Sequence, residues 1–214
     1  MKNVKATRSK ITAAIASILL ASACSAVADT QSTQSGAQAK ASLTAEALDN
    51  SLLYSNTCIT EREVIAAQKM WGNGIVRIGS VFTNGGDYSD EAADFIQDMY
   101  GYDLSNVLFK PTLAADDQFR SSFDAALSYF VGGNDAYDED KGFAIKPYTN
   151  VKFDNVGIIN NSCKMAVAMG NYFFTDTNGG ETKVEYTFAY VKDSDGNLRI
   201  VAHQSSLPYN PTAS

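Results

Sequence analysis

The chain holds one histidine in 214 residues, His203, in the stretch Ile200-Val201-Ala202-His203-Gln204-Ser205-Ser206-Leu207-Pro208. That stretch reads as a β-strand running into a proline stop. Side chains alternate between the faces of a strand, so Val201, His203 and Ser205 share one face and Ile200, Ala202, Gln204 and Ser206 the other. An imidazole and a hydroxyl two residues apart can reach one bound molecule, the first as a base near neutral pH, the second as donor or acceptor. Thr112, in the turn after Lys110-Pro111, and Tyr129, near the end of a helix-patterned segment, are two further uncharged polar candidates. Each also has an ordinary structural reading: a hydrogen-bonded core histidine, a turn residue, a packed aromatic. Composition and spacing do not overturn these.

Other chemistries lack their motifs. The sequence has no GxGxxG, no phosphate-binding glycine loop with lysine, no HExxH and no CxxC. One imidazole cannot build a three-histidine zinc site. A site from His203, Cys58, Cys163 and carboxylates would need segments far apart in the pattern to converge. No metal ligands are assigned, and zinc or another divalent cation stays open as a cofactor. The loop Asp135-Ala136-Tyr137-Asp138-Glu139-Asp140 lacks the regular spacing of a calcium loop and reads as solvated. Tyr172-Phe173-Phe174 and the set Tyr186, Phe188, Tyr190 read mainly as core and cavity wall, with a minority bordering a ligand.

The elements that must position the candidates follow from pattern. Thr60 and Glu63 form a capping box before Val64, Ala67, Met70, Trp71, Ile75 and Ile78, which recur at helical spacing and predict a long helix to about Phe82. Asp87 or Ser89 caps a second helix with Ala92, Phe95, Ile96 and Met99 on one face. Val107-Leu108-Phe109 is a short strand. Residues 116–131 read as a third helix with Phe119, Phe123, Ala126, Leu127 and Phe130 as its apolar face. From Gly142 the period changes to alternation, predicting strands near 143–147, 151–159, 163–175, 182–192 and 198–206. Thr177-Asn178-Gly179-Gly180 and Asp193-Ser194-Asp195-Gly196 are hairpin turns. Helices first and long antiparallel strands after them predict an α+β domain. Its sheet should twist and curl over the long first helix, and Gly170 gives one place to bend.

The N-terminus reads as a leader. Lys2, Lys5, Arg8 and Lys10 precede an apolar run from Ile11 to Ala23 and a small-residue cleavage site, Ala26-Val27-Ala28. Residues 1–28 are expected to be a signal peptide cleaved after Ala28, directing a periplasmic or secreted protein. Cys24, after Ala21-Ser22-Ala23, offers the alternative of a lipoprotein anchor and with it the only membrane attachment. Cleavage removes four basic residues and no acid, moving the net charge from -7 to -11, which disfavours nucleic acid as a partner. Residues 29–54 read as a flexible tether and 55–210 as one domain. Cys58 and Cys163 remain after cleavage, either as a disulfide or as two buried thiols.

Many blocks in order resemble the iota-class carbonic anhydrases. They include Trp71-Gly72-Asn73-Gly74-Ile75, Val107-Leu108-Phe109-Lys110-Pro111-Thr112, Ala126-Leu127-Ser128-Tyr129-Phe130-Val131-Gly132-Gly133, Gly170-Asn171-Tyr172-Phe173-Phe174-Thr175 and His203-Gln204-Ser205-Ser206-Leu207-Pro208. The similarity runs from about residue 57 to 208. It implies an NTF2-like (nuclear transport factor 2-like) cone, a curved antiparallel sheet wrapped over a long N-terminal helix, related to the association domain of calmodulin-dependent kinase. It implies reversible hydration of CO2 to bicarbonate, and Thr112, Tyr129, His203 and Ser205 match the polar residues of metal-free members. Other members are described as metal-dependent. The family tail is His-His-His-Ser-Ser, whereas this chain has Ala202-His203-Gln204-Ser205-Ser206, with both departures on the strand face opposite His203 and Ser205.

The implied chemistry places CO2 in an apolar mouth, beside water held by Tyr129, Thr112 and Ser205. Without a metal to acidify that water, His203 takes its proton, or pre-formed hydroxide attacks directly. A homodimer or higher homo-oligomer is expected. Two rivals remain: a non-catalytic NTF2-like module for small-molecule binding or assembly, and a different enzyme, such as an isomerase using a carboxylate like that of Glu185.

Overall fold

A computed structural model describes residues 54–211, apart from 56, 161 and 162. The expected leader, Cys24 and the tether up to residue 53 lie outside them. Among the described residues three helices precede most of the sheet: α1 (Glu61–Thr83), α2 (Tyr88–Met99) and α3 (Phe123–Val131). The strands are β1 (Leu108–Lys110), β2 (Tyr148–Ile159), β3 (Met165–Asp176), β4 (Glu181–Lys192) and β5 (Leu198–Ser206). They form one open, curved sheet in the order β1-β5-β4-β3-β2. This is the α+β layout expected, long first helix included.

Local signals set the boundaries of α1. Thr60 Oγ1 accepts from the Glu63 backbone N–H, and the Glu63 carboxylate accepts from the Thr60 N–H at 2.7 Å, closing the capping box. One face of α1 carries Val64, Trp71, Ile75 and Ile78, all buried, against the concave side of the sheet. Met70 lies off that stripe and is exposed. Asp87 caps α2 through a bond from the Asp90 N–H.

Strands β2 to β5 run antiparallel, whereas β1 joins β5 in parallel, with Phe109 paired to His203. No short turn links β1 to β5, so nothing local imposes an antiparallel pair. Two irregularities shape the sheet. Between Asn155 and Gly157 the β2 register shifts opposite Gly170. A Cβ on Gly170 would sit 2.9 Å from Asn155 Cα and closer still to the Asp154 carbonyl oxygen, so the missing side chain is what lets β2 fold inward there. In β5, Ile200 pairs with Tyr190 and Ala202 with Ala189, which leaves Val201 as an extra residue. The expected alternation therefore breaks at Val201: fully buried Ile200 shares the core side with His203 and Ser205, and Val201 is displaced from it.

Two predicted elements differ. Residues 143–147 form no strand, because the Phe143 and Ala144 N–H groups bond to the carbonyls of Tyr129 and Phe130 at the end of α3. The third helix starts at Phe123, not 116. The N–H groups of residues 115–117 go to the Glu139 carboxylate and that of Arg120 to Phe109 O, so Ser122 becomes the cap. Phe119 falls outside the helix and is exposed.

Cys58 and Cys163 are joined by a disulfide, their Cα atoms 4.0 Å apart across a sequence separation of 105. It ties the segment leading into α1 to the segment leading into β3. Closing so long a loop restricts the unfolded chain, and its reduction is expected to lower stability by roughly 2–5 kcal/mol. Denaturant unfolding with and without a reductant, beside Cys58→Ser, measures this. Identical midpoints in all three would contradict the pairing.

Candidate active site

Thr112, Tyr129, His203 and Ser205 line a single cavity of about 180 Å³ between the sheet and the helices. Strand β5 supplies His203 and Ser205 from one face, and the turn after β1 brings Thr112 beside them. Thr112 Oγ1 donates to Ser205 Oγ at 2.9 Å. Tyr129 enters from α3. The walls are aromatic, with Trp71, Phe109, Phe143 and Phe174 among them, and exposed Leu113, Lys146 and Leu207 mark the mouth.

His203 sits at the closed end, 2% exposed. Its ring stacks on Phe109 at a centroid distance of 4.7 Å, and the Phe188 ring meets it edge-on at 4.1 Å. Tyr100 Oη lies 2.8 Å from Nδ1, and Tyr172 Oη 3.5 Å from Nε2. Trp71 packs edge-on against the same imidazole and donates from Nε1 to Tyr100 Oη at 3.0 Å. Among the described residues the titratable groups facing the ring are thus two tyrosines and no carboxylate. Burial pushes the His203 pKa well below its ordinary value. Burial likewise raises the Tyr100, Tyr129 and Tyr172 phenols, which keeps them protonated and able to donate.

Tyr172 was legible in the sequence only as one aromatic of a strand run. Its hydroxyl faces His203, Ser205 and Thr112, so it belongs with the polar group at the closed end. Alternation along β3 places Tyr172 and Phe174 inward, but nothing local separates a wall aromatic from one whose hydroxyl is used. Tyr100 was missed for the same reason. Glu185 is exposed and accepts from Ser206 Oγ, so it brings no carboxylate to the cavity. Ala202 is partly buried and Gln204 exposed, on the other side of β5 from His203 and Ser205.

The acidic loop expected to be solvated is instead a clamp. Glu139 accepts from the N–H groups of Ala115, Asp116 and Asp117, and those bonds, helped by Arg120, hold its pKa down at about 2. Arg120, fully buried, pairs with Asp140 at 2.7 Å and Glu139 at 3.3 Å, and Ser128 Oγ donates to Asp140 at 2.6 Å. The segment after Thr112 is thereby fixed to α3 and hence to Tyr129. Arg199 does similar work behind His203. Its guanidinium donates to Tyr100 O at 2.7 Å and pairs with Asp103 at 2.7 Å.

The described residues contain no group of three or more His, Cys, Asp or Glu side chains placed to hold a metal. No described helix is long and apolar enough to cross a membrane.

Residues 62–207 match the family model for metal-independent carbonic anhydrase. The chain belongs to that family. It is 45% identical over 157 residues to a metal-independent carbonic anhydrase from Nostoc sp. strain PCC 7120, covering 72% of this chain and 76% of the relative. It is also similar to the crystal structure of a cyanobacterial iota-carbonic anhydrase complexed with bicarbonate. The identity there is 42%, with 72% of this chain and 94% of that one covered and a TM-score of 0.69. A further solved structure it is similar to is an NTF2-like superfamily protein from Salmonella enterica, at 14% identity and a TM-score of 0.36, covering 69% and 95% of the two chains.

The buried imidazole leaves a signature in stability. An unfolded histidine titrates near 6.5, and the folded ring titrates well below that. As pH falls below about 6.5, the unfolded chain takes up a proton that the folded chain refuses, at a cost of up to about 1.4 kcal/mol per pH unit. Carboxylates held low, Glu63 and Glu139 at about 2, add their loss only below their ordinary 4.5. The melting temperature is expected to fall between pH 7 and 5, and this slope to vanish in His203→Gln. A flat melting temperature in the wild type over that interval would contradict the neutral buried ring.

Proposed function

We propose that this carbonic anhydrase hydrates CO2 at the closed end of the cavity, with Tyr129, Tyr172 and Ser205 as hydrogen-bond donors, Thr112 orienting Ser205 by donating to it, and His203 positioned behind them. The observation that carries the reading is that the hydroxyl-bearing residues Thr112, Tyr129, Tyr172 and Ser205 line, together with one imidazole, an apolar cavity whose charged lining residue, Lys146, stands at the mouth.

CO2 is apolar and enters along the aromatic walls. Hydration joins a hydroxide oxygen to its carbon, while one C=O electron pair moves onto oxygen to give bicarbonate. Charge develops on oxygens that face fixed hydroxyl donors, and such preorganised donors stabilise a transition state more than they would in water. The raised phenol pKa values keep Tyr129 and Tyr172 in their donor form.

The proton must be accounted for. A water nucleophile would need a base, and His203 serves poorly, since its imidazolium would form in an aromatic enclosure without a facing carboxylate. Attack by hydroxide drawn from solvent needs no proton transfer at the carbon. Lys146 at the mouth favours the entry of anions. The residues need no metal ligand for these steps, which agrees with the metal-independent family.

Residues 1–28 are proposed to export the chain to the periplasm or beyond, with the lipoprotein anchor at Cys24 as the lesser route. A homodimer or higher homo-oligomer is proposed as the working form. Exposed Val156, Ile159 and Met169 on β2 and β3 support a covered sheet face.

Stopped-flow CO2 hydration on purified, chelated and metal-analysed protein tests the reading. Activity is expected without metal, rising with pH and showing no plateau in the ordinary imidazole range. Tyr129→Phe and Ser205→Ala should each lower kcat/KM by about 10²-fold, the usual weight of an oxyanion donor. No hydration above buffer, with or without zinc, would overturn the function. Activity that appears only with zinc would overturn the metal-free mechanism.

A further inference from the structure

The role of His203 turns on which ring nitrogen carries its proton, and two neighbours decide that. An indole N–H can only donate, and Trp71 gives its hydrogen to Tyr100 Oη at 3.0 Å. Tyr100 is fully buried, and its oxygen lies 2.8 Å from His203 Nδ1. Were Nδ1 protonated, the Tyr100 oxygen would face two N–H donors, and among the described residues its own hydrogen would have no acceptor. An unpaired buried donor loses its full hydration without return. With Nδ1 bare, Tyr100 donates to it, and the polar hydrogens of Trp71, Tyr100 and His203 each find a partner. The proton of the neutral ring then sits on Nε2, the nitrogen that faces Tyr172.

We propose that Trp71 and Tyr100 lock His203 in the Nε2–H tautomer, making it a hydrogen-bond donor toward Tyr172 and the cavity and not a proton acceptor. The bare nitrogen, the only one able to take a proton, points away from the cavity at the Tyr100 hydroxyl. Tyr172 Oη accepts from Nε2–H and keeps its one hydrogen for the substrate. Trp71, Tyr100 and His203 are positioning residues that act through Tyr172. Their catalytic meaning rests on the proposed hydration of CO2; the tautomer itself does not. Tyr100 and Tyr172, the titratable groups facing the ring, stay neutral through the working pH range, so nothing in contact with it changes charge there.

A chain with one histidine makes the test direct. The full chain, labelled with 15N at histidine alone, gives one pair of ring nitrogens in long-range proton–nitrogen correlation spectra. Nδ1 is expected to resonate as a bare acceptor nitrogen and Nε2 as a protonated one, unchanged between about pH 6 and 9. A protonated Nδ1 with a bare Nε2, or an imidazolium in that interval, would overturn the assignment, and the wild-type spectrum alone decides this. Tyr100→Phe and Trp71→Phe test the lock. Either variant should show a mixture of tautomers and a kcat lower by roughly fivefold to tenfold with KM unchanged. A folded Tyr100→Phe with the wild-type spectrum would overturn the lock. An Nε2–H spectrum in a chain that hydrates no CO2 removes the function and leaves the tautomer, whereas Nδ1–H in an active chain does the reverse.

Discussion

A histidine ring taken out of water costs little only if it stays neutral and both nitrogens keep partners. In this protein that requirement organises much of the core. Trp71 from α1 and Tyr100 from the end of α2 satisfy one side of His203, and Tyr172 from β3 faces the other. Phe109 from β1 and Phe188 from β4 close the ring faces. Five elements thus meet at one imidazole on a sixth. Moving any of them would expose the ring or strip a partner from it.

The same arrangement explains the rigidity of the hydroxyl cluster. The bulge at Val201 turns β5 so that Ile200 fills the core while His203 and Ser205 still face the cavity. The Arg120–Glu139–Asp140 clamp fixes the segment after Thr112 to α3, and Arg199 fixes the backbone that carries Tyr100. These ion pairs are buried or partly buried, so removing one partner would leave an uncompensated charge. They hold donors in place and do not enter the cavity. The site is therefore a fixed set of neutral donors in an apolar enclosure, suited to an apolar substrate that becomes an anion.

What could be read in the sequence was what is decided locally. The capping box at Thr60 and Glu63, the helical stripe through Trp71, the hairpin turns and the alternation of β3 and β4 depend on neighbours a few residues away. Those elements lie where expected. Of the four candidate residues, His203 and Ser205 came from spacing on a strand, whereas Thr112 and Tyr129 were only uncharged polar residues at a turn and a helix end until resemblance to a family joined them to that pair. What was not legible depends on partners far along the chain. Glu139 looks like any loop carboxylate until residues 115–117 turn their N–H groups toward it, and that contact also shortens α3. Residues 143–147 alternate like a strand, yet their backbone bonds go to the end of α3. Tyr100 and Tyr172 are two of 11 tyrosines, and only the tertiary structure shows which hydroxyls reach the imidazole.

The central claim is that neutral hydroxyls at the closed end, and no charged group or metal, hold the product. A crystal structure of this protein soaked in bicarbonate at mildly alkaline pH, after chelation, tests it most directly. Bicarbonate is expected in the cavity with its oxygens within about 3.2 Å of the hydroxyls of Thr112, Tyr129, Tyr172 or Ser205. Bicarbonate held through a metal ion, or bound elsewhere with the cavity left to solvent, would contradict it.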